Sequence, residues 1–116
     1  DLTGKKVSVQ IGTKSAKYLE EPQFKGVTLV KVETNNDMFM TLETGKVDAV
    51  VTGMPAARAY AKERGTVKVL PETLTQEFYG YGIRKEDKEL IDAVNAALKK
   101  LKADGRYDKI VKRWFE

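Results

Sequence analysis

Across the first 70 residues the apolar pattern switches back and forth between a period of two and a period near 3.6, and this alternation constrains the fold more than any other feature. Lys6-Val7-Ser8-Val9-Gln10-Ile11 alternates as a strand does, and Gly12-Thr13-Lys14-Ser15 follows with turn and cap chemistry. A short helix over 16–21 ends near Pro22, and the β-branched run Val27-Thr28-Leu29-Val30-Lys31-Val32 predicts a second strand. Asn35 or Asn36 can cap a second helix with Met38, Phe39 and Leu42 on one side and Gly45 as its stop. Val47-Asp48-Ala49-Val50-Val51 then suits a buried parallel strand. Thr52-Gly53-Met54-Pro55 turns the chain into a helix over 56–64 that stops at Gly65. Val67-Lys68-Val69-Leu70 predicts a further strand, and Phe78 to Ile83 resumes an extended pattern. The expected fold is α/β, an open and mostly parallel sheet with helices on both faces.

The C-terminal third is different in kind. Leu90, Ile91, Val94, Ala97, Leu98 and Leu101 recur at helical spacing, Gly105 supplies a stop, and Tyr107, Ile110, Val111, Trp114 and Phe115 repeat the stripe on a second helix. Two amphipathic helices therefore close the chain, and their apolar faces need something to cover. The expected division is an α/β domain over 1–76 and a returning strand with two helices over 77–116.

Composition narrows the function. The chain has no cysteine and no histidine, which removes disulfides, Ser-His and Cys-His catalysis and the usual zinc ligands. No spacing marks out a carboxylate pair, so no catalytic residue, metal site or cofactor is expected. No apolar run approaches the roughly 20 residues of a membrane span. The N-terminal Asp1-Leu2-Thr3-Gly4-Lys5-Lys6 lacks the apolar stretch of a signal peptide. The net charge is +4, and residues 84–116 carry ten basic side chains against seven acidic ones. Acids interleaved with Lys99, Lys100, Lys102, Lys109, Lys112 and Arg113 argue for a solvated helix face and against nucleic acid.

Four blocks, in order, resemble the type II periplasmic solute-binding proteins, specifically the polar amino-acid-binding family of ABC importers. They are Asp1-Leu2-Thr3-Gly4-Lys5 through Gly12-Thr13; Leu42-Glu43-Thr44-Gly45-Lys46-Val47-Asp48-Ala49-Val50; Glu77 through Asp87; and Leu90 through Leu98 with Gly105-Arg106-Tyr107, Trp114 and Phe115. The resemblance covers essentially the whole chain, yet members of the family are about twice as long. It implies a second lobe plus C-terminal tail, a periplasmic or extracytoplasmic location, a small polar ligand such as an amino acid, and importer membrane subunits as partners of the parent protein. The tail would then cover the missing first lobe or another copy of this chain.

The ligand-binding residues expected on this basis are Gln10, Gly12, Thr13, Lys14, Ser15, Thr52 and Gly53. N–H groups at a helix start favour an anion, and the resemblance implies that the first turn holds the ligand's α-carboxylate. The other reading is that Thr13 or Ser15 simply caps the helix. Residues 52–55 fall at the strand-end edge where open α/β sheets bind ligands, though they also read as a plain turn. Relatives commonly carry an acid where Gly53 stands, pairing with the ligand's α-ammonium; glycine cannot do this, and Glu77 is the candidate substitute. Phe78, Tyr79 and Tyr81 read as a strand with one buried face, with a stacking platform for a base or a ligand ring as the other reading. The function expected is a non-catalytic solute-binding lobe. The alternative is an isolated or engineered half-protein scaffold with little or no ligand binding that self-associates through its C-terminal tail, with exchange of the tail between copies as one route.

Overall fold

The computed structural model describes residues 2–116. The chain divides between Val69 and Leu70 into two units, each with its own internal contacts.

The first unit is built around a three-stranded parallel sheet. Its elements are β1 (Lys6–Gln10), α1 (Lys14–Leu19), a 3₁₀ turn (Pro22–Phe24), β2 (Thr28–Val32), α2 (Asn35–Glu43), β3 (Ala49–Val50) and α3 (Met54–Arg64). The strand order is β2-β1-β3, with Lys6 opposite Thr28, Gln10 opposite Val32, Val7 opposite Ala49 and Ser8 opposite Val50. An open α/β sheet is thus confirmed. Alternation along β1 sends Val7 and Val9 to one face, where they bury completely with Ala16 and Leu19 of α1. Phe24, Val27, Leu29, Ala49 and Val51 pack around that cluster. Helix α2 lies against all three strands and buries Met38 and Phe39. Ser8, buried at the sheet centre, leaves its hydroxyl without a hydrogen-bond partner.

Local chemistry explains the element ends. The α2 cap is Thr34 and not Asn35 or Asn36: its Oγ1 accepts from the Asp37 N–H at 3.1 Å and donates to Asp37 Oδ2 at 2.7 Å. Thr34 thus caps the helix through its hydroxyl alone, with Asp37 as both its donor and its acceptor, and both asparagines fall in the first turn. β3 is shorter than the apolar run 47–51 suggests, although backbone bonds to β1 continue on either side of it, from Asp48 N–H to Lys6 O at 2.8 Å and from Val51 N–H to Ser8 O at 3.2 Å, and the Asp48 carboxylate takes the Lys6 N–H at 2.9 Å. Gly65 ends α3 in the left-handed conformation, with φ +67°, as its position in the sequence predicts.

Two predicted strands are not found. Residues 67–70 and 78–83 carry no strand, so the returning strand expected at the start of the C-terminal part is absent among the described residues. Their side chains have strand propensity, but a strand exists only when a neighbouring edge accepts its backbone hydrogen bonds. The expected buried face is missing too, since Phe78, Tyr79 and Tyr81 are 94%, 80% and 72% exposed.

The second unit is a helical hairpin preceded by this irregular stretch. Helices α4 (Lys88–Ala103) and α5 (Arg106–Phe115) meet at a corner made by Gly105 in the left-handed conformation. Asp104 receives the Arg106 backbone N–H at 3.1 Å and its Nε at 2.8 Å, an ion pair that closes the corner. The Arg106 guanidinium holds the Asp104 carboxyl below its ordinary range. One groove of about 400 Å³ is lined by Tyr81, Ile83 and the Leu90, Val94, Leu98 and Leu101 stripe of α4. No helix among the described residues is long and apolar enough to cross a membrane.

Candidate functional site

The strand order creates one special edge. The chain leaves β1, crosses to β2 on one side, and returns past β1 to place β3 on the other, so connections diverge on either side of the β1/β3 boundary. Such a topological switch point opens a crevice beyond the strand ends, and this is where open α/β sheets bind ligands. Here that strand-end edge carries the loop after β1 and the loop after β3. The Val51 N–H donates to Ser8 O at 3.2 Å, and carrying the register two residues on sets Thr52 level with Gln10. The two candidate turns, 10–15 and 52–55, therefore emerge side by side from adjacent strands. Sequence periodicity contains no trace of this adjacency.

The first turn is tightly built. Ile11 donates its N–H to Val32 O at 2.9 Å, and Gly12 follows at φ +72°, a conformation that a side chain would strain. Thr13 is the cap of α1: its Oγ1 accepts from the Ala16 N–H at 3.1 Å and donates to Gln10 O at 2.7 Å. Both functions of the hydroxyl are thereby engaged, and what this residue offers outward is backbone. The Gln10 side chain donates from Nε2 to Glu33 O at 2.9 Å, which ties the end of β1 to the end of β2 and leaves its Oε1. Lys14 is exposed at the first helical position, and Ser15 follows it, half-buried.

In the second turn, Thr52 is half-buried and Gly53 caps α3 in an ordinary extended conformation, φ −60° and ψ 141°. A side chain there would meet no backbone strain, so the glycine is not a conformational necessity. Gly53 has no cap atom to give, and Pro55 at the second helical position has no N–H; the N–H groups of Met54 and Ala56 remain for solvent or a ligand. Across both turns Lys14 is the one charged side chain and no carboxylate is present. The side-chain charge of these two turns is therefore a single positive one, that of Lys14. Glu77 belongs to the second unit, where it is exposed. Among the described residues no acidic, Cys or His cluster could hold a metal.

Sequence reasoning missed the contacts that hold α3. Tyr60 stacks on Phe39 of α2, with ring centroids 3.9 Å apart and planes within 5°. The Glu43 carboxylate beside it accepts from Thr66 Oγ1 at 2.9 Å. These residues lie too far apart in sequence for any local pattern to join them.

Comparison with known proteins agrees with this architecture. Residues 7–116 match the bacterial extracellular solute-binding proteins, family 3. The ABC transporter arginine-binding protein 1 of Escherichia coli strain K12 is 31% identical over 99% of this chain and 49% of its own length. The histidine-binding periplasmic protein of the same organism is 32% identical over 99% of this chain and 48% of its own. Among solved structures, an ancestral arginine-binding protein bound to arginine superposes with a TM-score of 0.77 at 40% identity, covering 99% of this chain and 52% of the other. The chain thus spans about half the length of these relatives. With a matching profile over nearly every residue and a matching fold, the chain belongs to the family 3 bacterial extracellular solute-binding proteins.

Proposed function

We propose that this chain supplies one wall of an extracytoplasmic binding site for a small polar solute with a carboxylate group, in a receptor serving an ABC importer. The observation that carries the reading is the adjacency of β1 and β3, which brings residues 10–15 and 52–55 to one crevice edge. Gln10, Gly12, Thr13, Lys14 and Ser15 form the carboxylate-facing turn, and Thr52 and Gly53 form the second. The N–H groups at the start of α3, together with Lys14, provide donors, and Thr13 keeps the first turn in shape. Relatives that bind arginine and histidine set the ligand class to be tried first. A two-lobed receptor closes a second wall over its ligand, so one wall alone binds weakly.

Calorimetric titration with L-arginine, L-histidine and their 2-oxo acid analogues tests this. Saturable heat that is lost on Lys14→Gln with Ser15→Ala supports the site; silence throughout the panel, at protein concentrations that would register millimolar affinity, retires it.

The second reading is a scaffold that self-associates through its tail, with or without exchange of the tail between copies. It is favoured by the exposure of Tyr107, Ile110 and Trp114, at 39%, 49% and 59%, along one stripe of α5. Sedimentation giving a compact monomer at high concentration, with Trp114 shielded from a soluble quencher, would rule it out.

A further inference from the structure

Helix α3 carries the 52–55 turn, yet it buries none of its side chains, whereas α1 buries Ala16 and Leu19 and α2 buries Met38 and Phe39. The attachment of α3 to α2 is concentrated at one place. The Tyr60 ring lies face to face on Phe39 at 3.9 Å, an arrangement that fixes the spacing between the two helices. Stacked rings resist separation but slide over one another at little cost, because aromatic pairs favour offset geometries. Polar groups gather at the ring's edge. Gly65 reverses the chain so that Thr66 reaches the Glu43 carboxylate at 2.9 Å, and Glu43 also stands beside the Tyr60 hydroxyl, which is sealed from solvent. That hydroxyl makes no well-formed hydrogen bond, but its neighbour Glu43 holds the phenol above its ordinary pKa, and burial acts in the same direction. The Arg64 guanidinium sits 6.0 Å from the ring centre.

We propose that Tyr60, stacked on Phe39 and flanked by Glu43 and Thr66, is a positioning residue that clamps α3 to α2 and so fixes where the 52–55 turn stands at the β1/β3 edge. Tyr60 lies seven residues beyond Gly53, about 10 Å along the helix axis at a rise of 1.5 Å per residue, so it acts through the stiffness of α3 and touches no ligand. Its consequence for binding rests on the solute-binding reading given above; the clamp itself does not.

Residue-resolved amide exchange on the whole chain tests the clamp. Tyr60→Leu, which keeps apolar mass but loses the ring, is expected to speed exchange of the α3 amides about tenfold while those of β1, α1 and β2 keep their rates. Tyr60→Phe, which keeps the stack, restores most of the protection. Unchanged α3 exchange in Tyr60→Leu overturns the clamp, and so does equal acceleration throughout the first unit, which would make Tyr60 ordinary packing. Titration with L-arginine and L-histidine adds a second arm: where the unaltered chain binds, Tyr60→Leu weakens affinity about tenfold and Tyr60→Phe leaves it within about twofold, following the loss or retention of the stack. Equal affinity in all three overturns the positioning role. No saturable heat from the unaltered chain defeats the solute-binding reading alone, and the exchange rates still decide the clamp.

Discussion

The two units bury their apolar residues very differently. Every buried side chain among the described residues, from Val7, Ser8 and Val9 to Met38, Phe39 and Val47, belongs to the first unit, and the second unit has none. Nine of the eleven large hydrophobic residues that remain exposed, Leu70 through Trp114, belong to the second. Yet the amphipathic pattern is cleaner in α4 and α5 than in α2 or α3. A perfect stripe therefore says that a face is built to be covered, without saying that it is covered. The first unit covers its own faces because a sheet lies between its helices; the second has one helix to offer another.

The largest effect expected from this contrast is on stability. Leu19→Ala should cost about 2–5 kcal/mol, because it opens a cavity in a closed core, while Leu101→Ala on α4 should cost about 1 kcal/mol or less. Urea denaturation of both variants measures the difference, and equal costs would break the comparison. Next comes the proposed site, whose residues all belong to the first unit. Gly53→Asp places a carboxylate where the edge has none and should tighten binding of L-arginine by about 1.5–3 kcal/mol, the worth of a charge-assisted hydrogen bond. Gly53→Asn caps α3 equally well without the charge, so a gain shared by both variants would trace to capping.

Smaller is the cap of α1. Thr13→Ala should destabilise the first unit by about 1 kcal/mol and Thr13→Ser by much less, read from the thermal unfolding midpoint. The smallest effect belongs to the α4–α5 corner and depends on pH. The Arg106 guanidinium lowers the folded-state pKa of Asp104, so the corner's contribution is fully present above the ordinary Asp value and fades as pH falls through the lowered one. Helicity followed by circular dichroism should drop slightly in that acid range, and Asp104→Asn should remove the dependence while lowering helicity at neutral pH. Because both groups are exposed the change is small, as for surface ion pairs generally.

Much of the fold was legible beforehand, and the misses have physical causes. β1, β2 and every helix stand within a few residues of where periodicity placed them, since each rests on a local pattern. The α2 cap moved to Thr34 because a Thr three residues before an Asp closes a reciprocal pair that the two asparagines cannot match. Residues 67–70 and 78–83 read as strands from propensity alone, and they failed for want of an edge to pair with. At the site, the residue types were readable; their engagement was not. Gln10 turned out to be tied to Glu33, and the Thr13 hydroxyl to the helix start, by contacts reaching across the turn and to the next strand.

The sequence alone settled the list of parts: alternating strands and helices, the glycine at residue 12 that the turn requires, and the lack of His and Cys that removes whole classes of chemistry. Each of these depends on neighbours within a few residues or on side-chain identity. Left to the tertiary structure were the strand order β2-β1-β3, the emergence of residues 10–15 and 52–55 side by side from adjacent strands, and the Phe39–Tyr60 stack between α2 and α3. Those depend on which backbone edges pair and which helices meet, and a periodic pattern carries no record of its neighbours in space.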